Sequence, residues 1–347
     1  MEQERAPPRT SRWPAEAAPD GAIVLYSENL STLSNNVSPA RHWTRGRPRQ
    51  ALAEGETDMD IKSIGAIDTV VNIWTEESLR YRPSWRDTFY GPKMKVPTEN
   101  FNAVSLERMI EKMDEAGIAR GFLVSTKCGA LGPASTYHLP VRLVADAVQK
   151  YPDRFRGLAG IDPTEGMRGV REFETAVKEY GFIGAHVYPH WFELAPDHAR
   201  YYPFYAKCCE LDVPIVIHVG QSMIYAPDMP RRSVAKPITL DGVACDFQEL
   251  RIVGSHIGIP WTDEMIAMCW KHPNVYIASD AHAPKYWPQS LIHYINTFGQ
   301  DKVMFGTDFP VLDFKKTMDQ ISDLNFRPHV LPKFMRETAE KVFKLKP

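Results

Sequence analysis

From residue 64 onward, short apolar runs alternate with longer stretches in which hydrophobic residues recur every three or four positions. The short runs span 66–73, 119–125, 154–161, 182–188, 214–219, 250–256, 274–279 and 302–307. They are aliphatic, often β-branched, and too short for buried helices, so each predicts a buried strand. The stretches between them, 104–116, 138–150, 166–180, 199–211, 240–248, 261–272 and 287–298, predict helices, and 332–343 predicts a closing one. In the first of these, Leu106, Ile110 and Met113 share one face, Ser105 stands at the N-cap and Gly117 where the helix should stop. Eight strands alternating with helices over about 280 residues give the size and rhythm of a (β/α)8 TIM barrel filling one domain, 61–347. The rival architecture, an open doubly wound sheet, is marked by a glycine-rich phosphate loop, and no GxGxxG or GxxxxGK[ST] succeeds any run.

Residues 1–60 break the pattern. They are rich in Pro, Arg, Ser, Ala and Glu and hold one brief apolar run, 22–26, so an extended or disordered tail is expected there. Met59, just ahead of the first strand, is an alternative start.

Three of the apolar runs end in a residue that can bind a metal or move a proton: His218, His256 and Asp308. Each stands at the carboxyl end of its run, close to a Gly or Pro. In a parallel barrel that end is the active-site face, so the three converge on one pocket. The long segments 75–103 and 220–239 lie over the same face. They and the end of the first run supply Asn72, Trp74, Arg86 and Tyr225 as candidate substrate contacts. Arginines mixed with aromatics suit a flat organic anion, because guanidinium pairs with carboxylate and rings stack.

Charge and composition narrow the partner. The 41 Lys and Arg against 43 Asp and Glu leave a formal charge of −2, which gives no electrostatic case for nucleic acid or an anionic membrane. No apolar run approaches the roughly 20 residues that cross a bilayer, and the first residues lack the apolar core of a secretory signal. The cysteines, Cys128, Cys208, Cys209, Cys245 and Cys269, are odd in number and without CxxC spacing, which fits reduced thiols in the cytoplasm. Cys208, Cys209 and Cys269 read as small buried hydrophobes. The expected partner is a small molecule, and a homodimer is allowed.

With His218, His256 and Asp308 in this order, the sequence resembles the amidohydrolase superfamily. The nearest branch is the amidohydrolase-related one that includes aminocarboxymuconate-semialdehyde decarboxylase and aromatic-acid decarboxylases. The resemblance covers roughly residues 64–345 and is carried by IDTVVNIW, PIVIHVG, IVGSHIGIPW, HPNVYI and DKVMFGTDFP at five of the runs, with ETAEKVFKL at the close. It implies His218 and Asp308 as ligands of a divalent metal, zinc first, and His256 as the proton-transfer residue, with Asp308 sharing the acid–base work. Imidazole and carboxylate suit such an ion, and a histidine titrates near neutral pH.

The first run departs from the family. Where the pattern is Asp-x-His-x-His, this chain has Asp68-Thr69-Val70-Val71-Asn72. Strand alternation would keep Asp68, Val70 and Asn72 on one face, with Val70 unable to bind a metal and Asn72 a poor ligand. His186, in the fourth run, is the candidate replacement, making a His186, His218 and Asp308 site; the alternative is metal-free acid–base chemistry. The expected activity is that of a metal-dependent hydrolase of a small organic acid, ester or lactone. Non-oxidative decarboxylation of an aromatic or enol acid is the alternative, and a ligand-binding barrel without turnover the second. His190, His198, His272, His282 and His293 read as solvated or satisfied, Asp280 as a turn former, and Thr262 or Asp263 as a helix cap.

Overall fold

The computed structural model describes residues 60–130, 135–223 and 230–345. The expectations for the tail and for Tyr225 lie outside these residues. Eight parallel strands form one sheet in chain order: β1 Ala66–Val71, β2 Ile118–Ser125, β3 Phe155–Gly160, β4 Gly184–Val187, β5 Ile215–His218, β6 Ile252–Ser255, β7 Val275–Ala278 and β8 Val303–Met304. Between β8 and β1 the backbone closes the ring. Thr69 N donates to Phe305 O at 3.1 Å, Asp308 N to Val70 O at 2.9 Å and Asn72 N to Phe309 O at 2.9 Å. The result is a (β/α)8 TIM barrel.

Every predicted strand is present, though β8 is only two residues long. Beyond it the chain turns, and Asp308 takes a left-handed φ of 56°. The flanking helices are α1 Leu106–Ala116, α2 Val141–Lys150, α3 Met167–Lys178, α4 Tyr202–Leu211, α5 Leu240–Asp246, α6 Thr262–Lys271, α7 Gln289–Asn296, α8 Phe314–Ser322 and a closing α9 Thr338–Val342. In α1, Ser105 accepts from Arg108 N and Gly117 ends the helix at φ 75°, as its sequence demands. Before α6 the expectation fails: Trp261 holds the capping position and no side chain caps the helix. Helix α8 lies outside the predicted set. Asp313 caps it through Lys316 N, and Phe314, Met318 and Ile321 form its buried face. No helix among the described residues is long and apolar enough to cross a membrane.

The apolar residues sort into an outer layer between strands and helices and an inner cluster within the barrel. The inner one takes Ile67 and Val70 from β1, Phe122 and Val124 from β2, Leu158, Val216, Val253, Tyr276 and Met304. Ala339 and Val342 of α9, with Phe343, complete it at the amino ends of the strands, the Phe343 ring edge-on to Phe122 at 4.8 Å. Strand alternation then sets what lies above. Val216 is followed on the inner side by His218, Val253 by Ser255, and Tyr276 and Ala278 by Asp280.

Strand β1 departs from simple alternation. Asp68 pairs with Gly121 and Val71 with Leu123, so β1 has one extra residue there. Ile67 and Val70 consequently share the inner cluster, and Asp68 is not on a regular face with Val70 and Asn72. The Asp68 carboxylate instead accepts from Thr307 N at 3.0 Å, Thr307 Oγ1 at 2.5 Å and Val70 N at 3.2 Å.

Candidate active site

His218 ends β5 and His256 lies just past β6, which brings His218 Nε2 within 3.0 Å of His256 Nδ1. Asp280, two residues beyond β7, sits under His256. Its Oδ1 accepts from His256 N at 3.0 Å and its Oδ2 from Ser255 Oγ at 2.7 Å. The same Oδ2 lies 3.1 Å from His256 Nε2, an ion-pair distance, although the two are not aligned for a hydrogen bond. Asp308 Oδ2 is 3.9 Å from that nitrogen, and Asp308 Oδ1 accepts from Asn72 Nδ2 at 2.7 Å. His256, Ile257, Ala281 and Asp308 all hold φ between 47° and 67°. Left-handed backbone at non-glycine residues, and at a β-branched one, is strain that the surrounding fold must hold in place.

Burial drives these groups apart in charge. His218 is held well below the usual imidazole range by desolvation, with His256 adding to it. For His256 burial also opposes the charged form, but Asp280 and then Asp308 outweigh it and raise its affinity for a proton. Burial likewise works against Asp280, yet the facing His256 keeps it ionised, below the ordinary carboxylate range. Asp308, with Asp280 adding to its burial and His256 only partly offsetting them, is pushed up to about 7. The site therefore sets an imidazole shifted toward its charged form beside one carboxyl shifted toward ionisation and another shifted toward protonation.

A cavity of about 700 Å3, open mouth included, lies over these groups. Its polar floor is Asn72, His190, His218, His256, His282 and Asp308, and its walls include Trp85, Phe89, Tyr90, Tyr137, Tyr188 and Trp191. Trp85, Phe89 and Tyr90 come from the segment after β1, which does cover this face. The cavity thus gathers four of the expected residues, His218, His256, Asp308 and Asn72. Trp74 does not line it: the indole is fully buried, donates to Phe101 O at 3.1 Å and carries the Arg82 guanidinium 4.2 Å above its ring. Arg86 is turned to its neighbour Asp87, 2.6 Å away, and lies over Phe101. His186 is buried outside the lining, both ring nitrogens without a partner, and desolvation lowers it to about 3.

Sequence reasoning missed Asp280, His190 and His282. His190 is buried in the cavity floor, Nδ1 accepting from Val234 N at 3.1 Å, and burial lowers it and His282 to about 4. The available signal was position: Asp280 closes the seventh run as His218 and Asp308 close the fifth and eighth.

A divalent ion finds a partial donor set here. His218 Nδ1 and both nitrogens of His186 are buried without partners, and Asp308 offers a carboxylate oxygen to the cavity. The expected triad is not drawn tight, because His186, His218 and Asp308 are not among the described groups whose ligand atoms all lie within 4.8 Å of one another. His218 and Asp308 both line the cavity, whereas His186 does not.

A closed barrel with His218 at the end of β5 and His256 and Asp308 just beyond β6 and β8 is the frame of an enzyme of the amidohydrolase superfamily. The chain belongs to the amidohydrolase family, whose sequence model matches residues 67–345. It is 24% identical over 287 residues to γ-resorcylate decarboxylase of Polaromonas sp. (strain JS666 / ATCC BAA-500), covering 69% of this chain and 87% of that one. Among solved structures, an uncharacterized TIM-barrel protein from Bordetella bronchiseptica superposes with a TM-score of 0.66 at 25% identity, over 80% of this chain and 98% of that one. A 5-carboxyvanillate decarboxylase from Novosphingobium aromaticivorans, complexed with manganese and 4-hydroxy-3-methoxy-5-nitrobenzoic acid, gives 0.63 at 22%, over 82% and 97%.

Proposed function

We propose that the chain is a non-oxidative decarboxylase of a hydroxylated aromatic acid, working with a divalent metal. The observation that carries the reading is geometric: Asp308 Oδ2 lies 3.9 Å from His256 Nε2, and both face an aromatic-walled cavity. Decarboxylation replaces a bond from ring carbon to carboxylate by a bond to hydrogen, so the site must deliver a proton to that carbon. In this reading Asp308 gives its proton to the ring carbon, the carbon–carboxylate bond breaks, and its electron pair restores the aromatic ring as CO2 departs. His256 then returns a proton to Asp308 across their 3.9 Å separation. Asp280 keeps that proton on His256, and Asn72 fixes the other Asp308 oxygen. The ring walls orient a flat substrate by stacking. A divalent ion on His218 and Asp308 would supply positive charge for the substrate's carboxylate and hydroxyl oxygens. Oxygen-rich completion of its sphere favours a harder ion such as manganese over zinc.

Hydrolysis, the first expectation from the sequence, ranks second because the relative matched over 87% of its length is a decarboxylase. Incubation with a panel of hydroxybenzoates and aryl esters, in manganese, separates the readings. CO2 appearing with a phenol supports decarboxylation. Acid released from esters without CO2 overturns it in favour of hydrolysis, and binding with neither product leaves a barrel without turnover.

A further inference from the structure

A second cluster of ligating side chains lies outside the cavity, where α5 meets the end of α6. We propose that Asp241, Cys245 and His272 form a binding site for a thiophilic divalent cation of the zinc class. Asp241 and Cys245 are four residues apart on α5 and so share a face. His272 closes α6, its side chain only 8% exposed, with Nε2 aimed at Asp241 Oδ1 2.7 Å away. One ligand atom from each of the three lies within 4.8 Å of the others.

The donor types decide the class of ion. A sulfur, an imidazole nitrogen and a carboxylate oxygen match tetrahedral zinc with one position left for water. Calcium and magnesium take oxygen donors and are poor occupants. Donors at roughly 2.0–2.3 Å from tetrahedral zinc stand about 3.3–3.8 Å apart, so a rotamer change of the exposed Cys245 and a slight opening of the 2.7 Å His272–Asp241 contact complete the set. Cys245 is the exposed one of the five free cysteines, and the buried His272 gives it a fixed partner. Asp241 is already ionised, held below the usual carboxylate range by hydrogen bonds from Lys271 and His272. The Lys271 ammonium, 2.6 Å from the same oxygen on a half-exposed stem, is what an arriving dication would displace. Binding turns the Cys245 thiol into a metal thiolate and releases one proton to solvent, so affinity rises with pH. An occupied site ties α5 to α6 and stabilises the folded chain by mass action.

The test uses the full-length chain carrying Asp308→Asn, which removes the cavity's carboxylate ligand. After chelator treatment it is titrated with cadmium, whose thiolate complex absorbs in the ultraviolet, and then with zinc against a chromophoric chelator. We expect one equivalent of cadmium to raise the thiolate band, zinc to raise the melting temperature, and bound zinc to slow maleimide labelling of Cys245 at least tenfold. Adding Cys245→Ser, an exposed change safe for folding, should abolish the band and weaken zinc at least tenfold; His272→Gln should weaken zinc while the band's parent thiol remains. No band at one equivalent, or a band that survives Cys245→Ser, overturns the site.

Discussion

At the amino end of the barrel Phe343, Val342 and Ala339 fill the space beneath Phe122 and Tyr276 with apolar atoms. At the carboxyl end of the same strands, five ring nitrogens of His186, His190, His218 and His256 have no hydrogen-bond partner, and His256, Ile257, Ala281 and Asp308 carry left-handed backbone without being glycine. The first end is filled with buried apolar side chains, which is where stability resides. The second is polar, strained and shifted in charge, which is how a barrel keeps chemistry on one face. The two ends should therefore respond to mutation in opposite currencies, one in stability and the other in turnover.

The largest effect tests the packed end. Phe343→Ala removes a ring that is 4% exposed and edge-on to Phe122, and should cost about 3–5 kcal/mol of stability in denaturant unfolding. The protein that remains folded should turn over normally. A tenfold fall in its kcat would show that the ends are coupled. At the other end, Asp308→Asn keeps shape and the Asn72 contact but removes the transferable proton, so turnover should fall at least about 10²-fold. Its melting temperature should hardly move, because a buried acid is exchanged for a neutral amide. Normal turnover in this variant would remove the carboxyl end from the chemistry.

The same contrast explains what the sequence revealed. Period and length mark strands and helices, so all eight strands and the convergence of His218, His256 and Asp308 were legible. The end of a run also points to the residue placed just beyond it, which is why Asn72 was found. Lost were contacts that depend on register and direction. The extra residue in β1 is invisible to alternation, and with it the turn of Asp68 toward Thr307. Trp74 and Arg86 were right in segment but wrong in direction, one packed beneath Arg82 and the other drawn to Asp87. Asp280 looked like a turn former because its partner, His256, is 24 residues away. In helix α8, Lys315 and Lys316 interrupt the apolar pattern, and only Phe314, Met318 and Ile321 define its buried face.

Asp280 sharpens the comparison at a smaller scale. It touches His256 rather than lining the cavity, so it acts by placing and charging that ring. Asp280→Asn keeps an acceptor for His256 N and removes the charge that raises the imidazole. His256 should then lose its proton at lower pH, moving the alkaline limb of kcat/KM toward acid and lowering turnover at neutral pH. A purely structural Asp280 predicts lost stability with an unmoved limb.

The smallest effect is expected from Asp68, which lies between the two ends. Burial pushes its carboxyl up to about 8 although Thr307 and Val70 hydrogen bonds favour the charge. Its unfolded value is near 3.8, so the folded chain holds this proton more tightly. Between those values the native state binds more protons than the unfolded one, and the contribution of Asp68 to stability declines as pH rises toward 8. Asp68→Asn mimics the protonated acid and cannot ionise. At pH 5 the variant should match the parent within about 1 kcal/mol, the scale of one altered hydrogen bond. At pH 9 the parent carries a buried carboxylate that the variant lacks, so the ordering should shift in favour of Asn. Melting temperatures of both proteins from pH 5 to 9 read this directly. Parallel curves would mean that Asp68 is ionised throughout, its charge fully balanced by the Thr307 bonds, and that the strained carboxyl end begins above it rather than at it.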